Sequence, residues 1–239
     1  MSYKFQNLTT SDYTKLFSAF RASPSQLQQE VFVLLWTGFS PNGFFVEFGA
    51  TDGKTLSNTS ILETLGWNGI LVEPSKGNHK ALKQNRKCII DTRCVYSVSN
   101  KKIEFSENLE EGELSAIKEY LPVVKKGAIN DKIVNERAKT LANTKTKTYK
   151  VKTVSLLDLL DEHNAPKFID YISIDTEGSE FDILNAFDFD KYRFKVLTVE
   201  HNYGAQRDDI KNLLEKNGYK RVLEKVSKYD DWYINTKLD

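Results

Sequence analysis

The sequence predicts an α/β domain built on a mostly parallel central sheet. Short apolar runs, such as residues 44–48, alternate along the chain with helical stretches. This alternation is the order of elements in a parallel sheet with crossover helices. The runs are bulky and poor in polar residues, as is typical of strands buried on both faces.

Length and composition are consistent with one large domain and a substantial core. The chain has 239 residues, of which 40% are hydrophobic and 28% are charged. At this size, folding buries roughly 70% of the surface of the unfolded chain, so neither a disulfide nor a structural metal is needed for stability. Lys and Arg number 34 against 33 for Asp and Glu, a formal charge of +1, which does not indicate a nucleic-acid-binding protein.

Three features predict a cytoplasmic protein without a membrane span. Cys88 and Cys94 are too few for a disulfide framework and are expected to be reduced core residues. The longest apolar run, VFVLLW at residues 31–36, is far shorter than the ~20 residues of a membrane-spanning helix. The N-terminal residues, MSYKFQNLTTSDY, lack the basic start and apolar stretch of a signal peptide.

The predicted elements follow one another in a regular order. Residues 1–40 are expected to form a helical segment of two helices, the first capped by Ser11 or Asp12 and the second ending near Gly38. Residues 41–239 form the main domain. Its strands are predicted at 44–48, 70–74, from 88 onward, and at 101–105, 168–175, 195–199, 219–225 and 232–235. Its helices are predicted at 55–65, 76–86, 181–186 and 207–217. The last two strands form an antiparallel hairpin.

A polar insertion at about 107–148 interrupts this alternation. Helix-like patches occur at 113–121 and 128–142. The lysine-rich stretch 143–152 is either a solvated loop or a lid over a substrate, since long insertions in compact α/β domains are often functional.

Glycines and acids cluster where the predicted strands end, which is where open parallel sheets bind ligands. Gly49 and Gly53 bracket the loop after the first strand, which is either a simple tight turn or a place where a ligand lies against the backbone. The spacing is not G-x-G-x-x-G, and Glu47 and Asp52 would repel a pyrophosphate, so a cationic ligand such as S-adenosylmethionine fits better. Glu73 ends the second strand and is either a surface carboxylate or an acceptor for ribose hydroxyls.

Four blocks of the sequence resemble the FkbM family of S-adenosylmethionine-dependent methyltransferases. They are FFVEFGATDGKTLSN, GWNGILVEP, VKTVSLLDLL and FIDYISIDTEGSEFDIL, in the family's order, over roughly residues 43–205. The resemblance implies a Rossmann-like class I methyltransferase fold, with a seven-stranded, mostly parallel sheet, an antiparallel last strand and helices on both faces. It also implies methyl transfer to hydroxyl groups, because the family acts on sugars, glycans and polyketides.

Position within these blocks implies which residues bind the cofactor. The methionine half would be lined by Glu47, Gly49, Ala50, Asp52 and Gly53. Three residues after the loop either hold its carboxylate or serve as helix caps and surface residues: Thr55, Ser57 and Asn58. Glu73 would hold the ribose. Pro74 and the Arg93–Cys94 pair would flank the adenine, although Cys94 is equally well explained as a core residue.

Methyl transfer to an alcohol requires a group that removes the hydroxyl proton, or a metal ion that acidifies it. Asp175 ends one strand, and Glu200, His201 and Asn202 end the next. His201, with an ordinary pKa of about 6.5, is the predicted base, with Asp175 and Glu200 beside it. Alternatively, Asp175, Glu200 and Asn202 bind Mg²⁺ or another divalent cation. Asp175 could also contact the ammonium group of the cofactor, and Glu177 and Glu180 could cap the next helix.

The predicted function is therefore S-adenosyl-L-methionine-dependent O-methylation of a hydroxyl, foremost on a sugar within a glycan or glycoconjugate. The alternatives are a non-catalytic module of the same fold and a nicotinamide-dependent oxidoreductase, which the glycine spacing disfavours. Nucleic-acid methylation is disfavoured by the neutral charge and by the lack of an Asn-Pro-Pro-aromatic tetrapeptide. The segments 1–40 and 107–148, outside the matched blocks, are expected to select the acceptor.

Overall fold

The computed structural model describes residues 8–110, 112–121, 139–140 and 143–237. The helices are α1 Thr10–Ala22, α2 Gln29–Thr37, α3 Ser60–Thr64, α4 His79–Asn85, α5 Leu156–Glu162, α6 Glu180–Asn185 and α7 Arg207–Lys216. The strands are β1 Phe44–Phe48, β2 Asn68–Val72, β3 Ile89–Asp91, β4 Cys94–Tyr96, β5 Lys102–Asn108, β6 Ala116–Ile117, β7 Thr146–Ser155, β8 Phe168–Ile174, β9 Arg193–Glu200, β10 Tyr219–Val222 and β11 Asp230–Asn235.

A seven-stranded sheet organises the fold, in the order β10-β11-β9-β8-β1-β2-β3. β1 pairs in parallel with β2 and β8, and the parallel pairing continues to β3 and β9. β11 is antiparallel to both of its neighbours, β9 and β10. The α/β fold is confirmed, and the seven strands with an antiparallel β11 agree with the sheet that the family resemblance implied, while a second sheet described below does not belong to that expectation.

Helices cover both faces of this sheet because successive residues of the buried strands point to opposite sides. Val46 and Phe48 of β1 belong to a core that α5, α6 and α7 complete. Phe45, between them, belongs to a second core completed by α1 to α4. Each such fully buried side chain contributes roughly 1.5–3 kcal/mol to folding.

The N-terminal helices are held by local capping signals. The cap of α1 is Thr9, not Ser11 or Asp12. Thr9 Oγ1 accepts a hydrogen bond from Asp12 N at 3.2 Å, and Asp12 Oδ2 accepts one from Thr9 N at 2.8 Å. This reciprocal capping box satisfies two backbone donors. α2 ends at Gly38, in the left-handed conformation with φ of 65°, as predicted. Residues 1–7 of the predicted helical segment lie outside the described residues.

A second sheet of four strands, in the order β4-β7-β5-β6, was not predicted. The stretch expected to be a loop or lid, 143–152, forms most of β7 and pairs antiparallel with β5 over seven residues. Lys147, Lys150 and Lys152 are exposed along it, while Val151 is buried. Lys150 and Lys152 therefore lie on the solvent face of the strand, opposite Val151, while Lys147 is exposed on the other face near the strand's start.

Other sequence predictions agree in place but not always in extent. The predicted helix at 55–65 is short, because α3 begins only at Ser60. The patch at 113–121 consists of two 3₁₀ turns, Gly112–Leu114 and Lys118–Tyr120, around β6. Most of the patch at 128–142 lies outside the described residues. Within the part of the chain described, no helix is both long and apolar enough to cross a membrane.

Candidate active site

A cavity of about 290 Å³ opens at the carboxyl ends of β1, β2, β8 and β9. Gly49, Glu73, Asp175 and Glu200 from these four strand ends all line it. The cavity therefore opens at the edge of the sheet where the sequence predicts a ligand site. The second sheet and the N-terminal segment supply the remaining walls, which no strand-end argument predicts.

Gly49 lets β1 and β8 approach each other beside the cavity. Its φ is +72°, and a Cβ at this position would lie 2.5 Å from the carbonyl oxygen of Asp175. Any side chain would therefore displace the end of β8 or strain the loop. Gly53, with φ of +79°, packs instead against Leu82 and Arg86, away from the cavity lining.

Glu47 faces the cavity, but its carboxylate is occupied by the loop that follows β1. It accepts hydrogen bonds from Asn58 N at 2.7 Å, Ser57 Oγ at 3.1 Å and Thr59 Oγ1. Glu47 is 2% exposed, and Arg86 Nη1 lies 3.7 Å from it. Its main visible role is to fold the loop.

Four predicted cofactor residues organise the same loop without lining the cavity: Ala50, Asp52, Gly53 and Ser57. Asp52 accepts hydrogen bonds from Lys54 N at 2.8 Å and from Thr55 N at 2.7 Å. Burial opposes ionisation, but these bonds outweigh it and lower the pKa of Asp52. The carboxylate predicted to attract the ammonium group instead accepts backbone donors of its own turn and stabilises it.

Thr55 and Asn58 do reach the cavity. Asn58 Nδ2 donates to Ser173 Oγ at 3.0 Å, and its backbone N–H is held by Glu47. Asn58 Oδ1 is buried and has no hydrogen-bond partner among the described residues. What Asn58 offers a ligand is thus a carbonyl acceptor, which suits an ammonium group rather than the carboxylate assigned to it from the sequence.

Glu73 is a buried carboxylate at the end of β2, 3% exposed. Thr51 N donates to its Oε2 at 2.7 Å, and Ser75 N donates to its Oε1 at 2.6 Å. These bonds fix the carboxylate against the cavity. Burial raises the pKa of Glu73 to about 7, with Glu107 adding a smaller effect in the same direction. Glu73 is therefore not the surface carboxylate that the sequence left open.

The end of the cavity beside Glu73 is apolar. Pro74 lines it together with four residues of the second sheet: Cys94, Val95, Phe105 and Ile117. Burial raises the pKa of the Cys94 thiol to about 12, so it stays protonated and acts as an apolar wall. Arg93 is turned away, because Asp91 and Glu162 bind its guanidinium at 2.6 Å.

The opposite end is acidic. Oxygen atoms of Asp175, Glu177 and Glu200 lie within 4.8 Å of one another, and Asn202 lines the same region. Glu177, expected to cap a helix, belongs to this group. Glu180 anchors the loop instead, accepting from Thr176 N at 2.9 Å and Gly178 N at 3.0 Å.

His201 does not line the cavity. It is 8% exposed, its Nδ1 accepts a hydrogen bond from Tyr203 N at 2.9 Å, and its Nε2 lies 3.7 Å from Asp231 Oδ1. Burial lowers its pKa, although Asp231 partly offsets this. Because successive strand residues alternate in direction, Glu200 faces the cavity and His201 faces away. The sequence prediction of a His201 base is therefore not supported by its position.

Sequence reasoning missed a third wall of the cavity. Gln26 and Gln29 come from the N-terminal segment, and Tyr229 and Asp230 from the start of β11. Tyr229 OH donates to Gln26 Oε1 at 3.0 Å, and Gln29 Nε2 donates to Asp230 Oδ2 at 2.8 Å. The available signal was the acidic pair Asp230–Asp231 at the start of an otherwise apolar strand.

Comparison with known proteins assigns the chain to a family. Solved structures similar to this chain include a ribosomal protein L11 methylase from Lactobacillus delbrueckii subsp. bulgaricus, with 10% identity, coverage of 86% of this chain and 75% of that chain, and a TM-score of 0.40. They also include a fibrillarin/Nop5p complex, with 13% identity, coverage of 90% of this chain and 83% of that chain, and a TM-score of 0.40. No curated protein matches the sequence. The methyltransferase FkbM domain matches residues 47–221, well over half of the chain. The chain therefore belongs to the FkbM methyltransferase family.

Proposed function

We propose that this methyltransferase uses S-adenosyl-L-methionine and transfers its methyl group to a hydroxyl, foremost of a sugar in a glycan or glycoconjugate. One observation carries the proposal. A single cavity has a buried carboxylate, Glu73, beside an apolar end, and a group of three carboxylates at its opposite end.

The side chains of the cavity fit the cofactor. Glu73 is placed to accept hydrogen bonds from ribose hydroxyls, and the apolar walls at Cys94 and Phe105 suit the flat adenine ring. The buried, unpartnered Asn58 Oδ1 suits the ammonium group of the methionine half. Acidic residues nearby favour a cationic sulfonium and disfavour a pyrophosphate, which argues against a nicotinamide dinucleotide.

The acidic end supplies what the acceptor needs. The bound cofactor supplies an electrophilic methyl group on sulfur. An alcohol is a weak nucleophile at neutral pH, because its pKa is far above 7. Carboxylates at this end can hold the hydroxyl in line with the methyl group and take up its proton.

A divalent cation remains a separate prediction. Carboxylate oxygens are the ligands that Mg²⁺ prefers, and the group differs from the predicted one by including Glu177 beside Asp175 and Glu200. A bound cation would acidify the acceptor hydroxyl. Activity that survives a chelator and is not increased by Mg²⁺ would contradict the metal.

The sugar acceptor rests on two supports. The first is the resemblance to the FkbM family, which implies a hydroxyl acceptor. The second is the uncharged part of the cavity wall, which carries amides and a phenol at Gln26, Gln29, Asn202 and Tyr229. Such groups form hydrogen bonds with several hydroxyls at once. A cytoplasmic location and the lack of a nucleic-acid partner stay predictions from the sequence.

The deciding experiment is calorimetric titration of the purified protein with S-adenosylhomocysteine, with NAD as the control ligand. We expect micromolar binding of the first and none of the second. Glu73→Gln should weaken binding of S-adenosylhomocysteine about tenfold or more, which corresponds to about 1.4 kcal/mol. The matched control, Glu104→Gln on an exposed strand position, should bind as the wild type does.

Each of the other outcomes refutes one part of the proposed function. Binding of NAD alone would refute the cofactor assignment. Binding of neither ligand would favour the non-catalytic module. Unchanged affinity in Glu73→Gln would refute the position assigned to the ribose.

A further inference from the structure

The antiparallel direction of β11 brings a further acid, Asp230, to the acidic end of the cavity. Asp230 is the first residue of β11, and it lies directly opposite Glu200, the last residue of β9. Both side chains line the cavity. Opposed residues on neighbouring antiparallel strands have Cβ atoms roughly 5 Å apart and point to the same face. The end of β9 and the start of β11 thus form one site.

The N-terminal segment fixes the orientation of this acid. Gln29, the first residue of α2, donates from Nε2 to Asp230 Oδ2 at 2.8 Å, and both residues are buried at 2% and 5% exposure. Leu27 N donates to Gln29 Oε1 at 3.0 Å, so the Gln29 amide is held in turn. A side chain 201 residues away in sequence therefore orients the Asp230 carboxylate within the cavity.

The neighbouring acid, Asp231, has a different environment. It points away from the cavity lining, and Arg207 Nη2 and Arg221 Nη1 bind it at 2.7 and 3.1 Å. Within the described part of the chain, the side chains that bond to Asp230 are neutral: Gln29 donates to it, and Trp232 is a further neutral partner.

We propose that Asp230, oriented by Gln29, is the base that accepts the proton of the acceptor hydroxyl. The inference rests on the proposed function, because it assigns a residue of that reaction. As the hydroxyl oxygen forms its bond to the methyl carbon, the carbon–sulfur bond breaks and its electron pair stays on sulfur. The hydroxyl proton moves to Asp230. The products are a methyl ether, a neutral thioether and a protonated carboxyl, so charge and atoms balance.

The reaction assay uses a panel of methyl glycosides of hexoses and deoxyhexoses with S-adenosylmethionine carrying a labelled methyl group. Asp230→Asn keeps the shape of the side chain and an oxygen for Gln29 Nε2, so the fold should persist. We expect kcat to fall about 100-fold or more, the usual effect of losing a general base. Calorimetry should give an affinity for S-adenosylhomocysteine within about twofold of the wild type, since Asp230 contacts the acceptor.

Three further variants sharpen the test. Gln29→Leu, which removes the orienting donor, should lower kcat roughly tenfold while leaving affinity for S-adenosylhomocysteine unchanged. Asp209→Asn, at an exposed position on α7, is the inert control. Glu200→Gln separates the two opposed acids, because its kcat would fall more than that of Asp230→Asn if Glu200 were the base.

The outcomes distinguish failure of this inference from failure of the proposed function. A wild type that methylates the panel, with Asp230→Asn losing less than about tenfold in kcat, overturns the role of Asp230 alone. A wild type that binds S-adenosylhomocysteine and methylates none of the panel overturns the proposed sugar acceptor and this assignment together. Loss of S-adenosylhomocysteine binding in Asp230→Asn would place the residue in the cofactor site and also overturn the inference.

Discussion

Arg86 is the residue on which the loop after β1 depends most. Arg86 is 5% exposed. Its guanidinium donates hydrogen bonds to Gly53 O at 3.2 Å, Ser57 Oγ at 3.0 Å and Thr59 Oγ1 at 2.9 Å. It also pairs with Glu63 and lies 3.7 Å from Glu47. Replacing it with Met keeps much of the apolar stem and removes all of these bonds.

The expected loss of stability follows from the buried carboxylate that the substitution leaves without a cation. Arg86→Met leaves the Glu47 carboxylate buried without its nearby cation, and breaking a buried ion pair from one side costs about 3–5 kcal/mol. For a chain of this length, each kcal/mol lowers Tm by roughly 2–4 °C, so Tm should fall on the order of 10 °C. Arg86→Lys keeps the charge but not the fork of donors, and should lose about 2 kcal/mol.

The assay is urea unfolding at neutral pH, followed by the fluorescence of the three tryptophans. Calorimetry with S-adenosylhomocysteine, done well below Tm, should show at least about tenfold weaker binding, since Thr51, Thr55 and Asn58 reach the cavity from this loop. Lys118→Met, which breaks an exposed pair with Glu104, is the control and should cost less than about 1 kcal/mol. If the free energy of unfolding of Arg86→Met lies within about 1 kcal/mol of that of this control, which is about the error of such comparisons, the reasoning about the loop is refuted.

Three further predictions concern other buried positions. Gly49→Ala should lose more than about 2 kcal/mol and weaken S-adenosylhomocysteine binding, because its Cβ would meet Asp175 O at 2.5 Å; urea unfolding with normal stability would contradict this. Burial raises the pKa of Glu30 to about 7, above its value in the unfolded chain. Its contribution to the free energy of unfolding is therefore fully present below the unfolded pKa and is lost, by about 3 kcal/mol, as pH rises through 7. The free energy of unfolding of Glu30→Gln should change less between about pH 5 and 8 than that of the wild type, and equal pH dependence of the two would contradict the explanation. His201→Ala should lower stability by about 1–3 kcal/mol, since Tyr203 N–H loses its acceptor, while His201→Asn restores part of it; a kcat loss of about 100-fold in both variants, at unchanged stability, would return the base to His201.

The order of strands and helices could be predicted because several strands of the central sheet, such as β1 and β8, are local runs rich in apolar residues. Residues 44–48 and 168–174 are predicted as buried strands for this reason. β7 is not such a run, because Lys147, Lys150 and Lys152 make it polar. Only its pairing with β5 identifies it as a strand. Intrinsic strand preference is weak and depends on the partner strand.

The candidate site likewise contains residues that a local pattern predicts and residues that it does not. Residues at the strand ends, such as Gly49, Glu73 and Glu200, were predicted to face the cavity because the carboxyl ends of parallel strands meet at one edge. His201 and Asp52 carry suitable chemistry in the sequence but point elsewhere. For His201 the direction follows from the alternation of β9, and for Asp52 from backbone donors within its own turn.

By itself, the sequence determined the α/β class, the family and the edge of the sheet at which the cavity opens, because these depend on patterns within short stretches of chain. Only the tertiary structure decided which acids face the cavity and what stands opposite them. Gln29, Glu200 and Asp230 share one site through a helix start, a parallel strand and an antiparallel strand. Contacts between such distant residues arise from packing and strand direction, which no local pattern encodes.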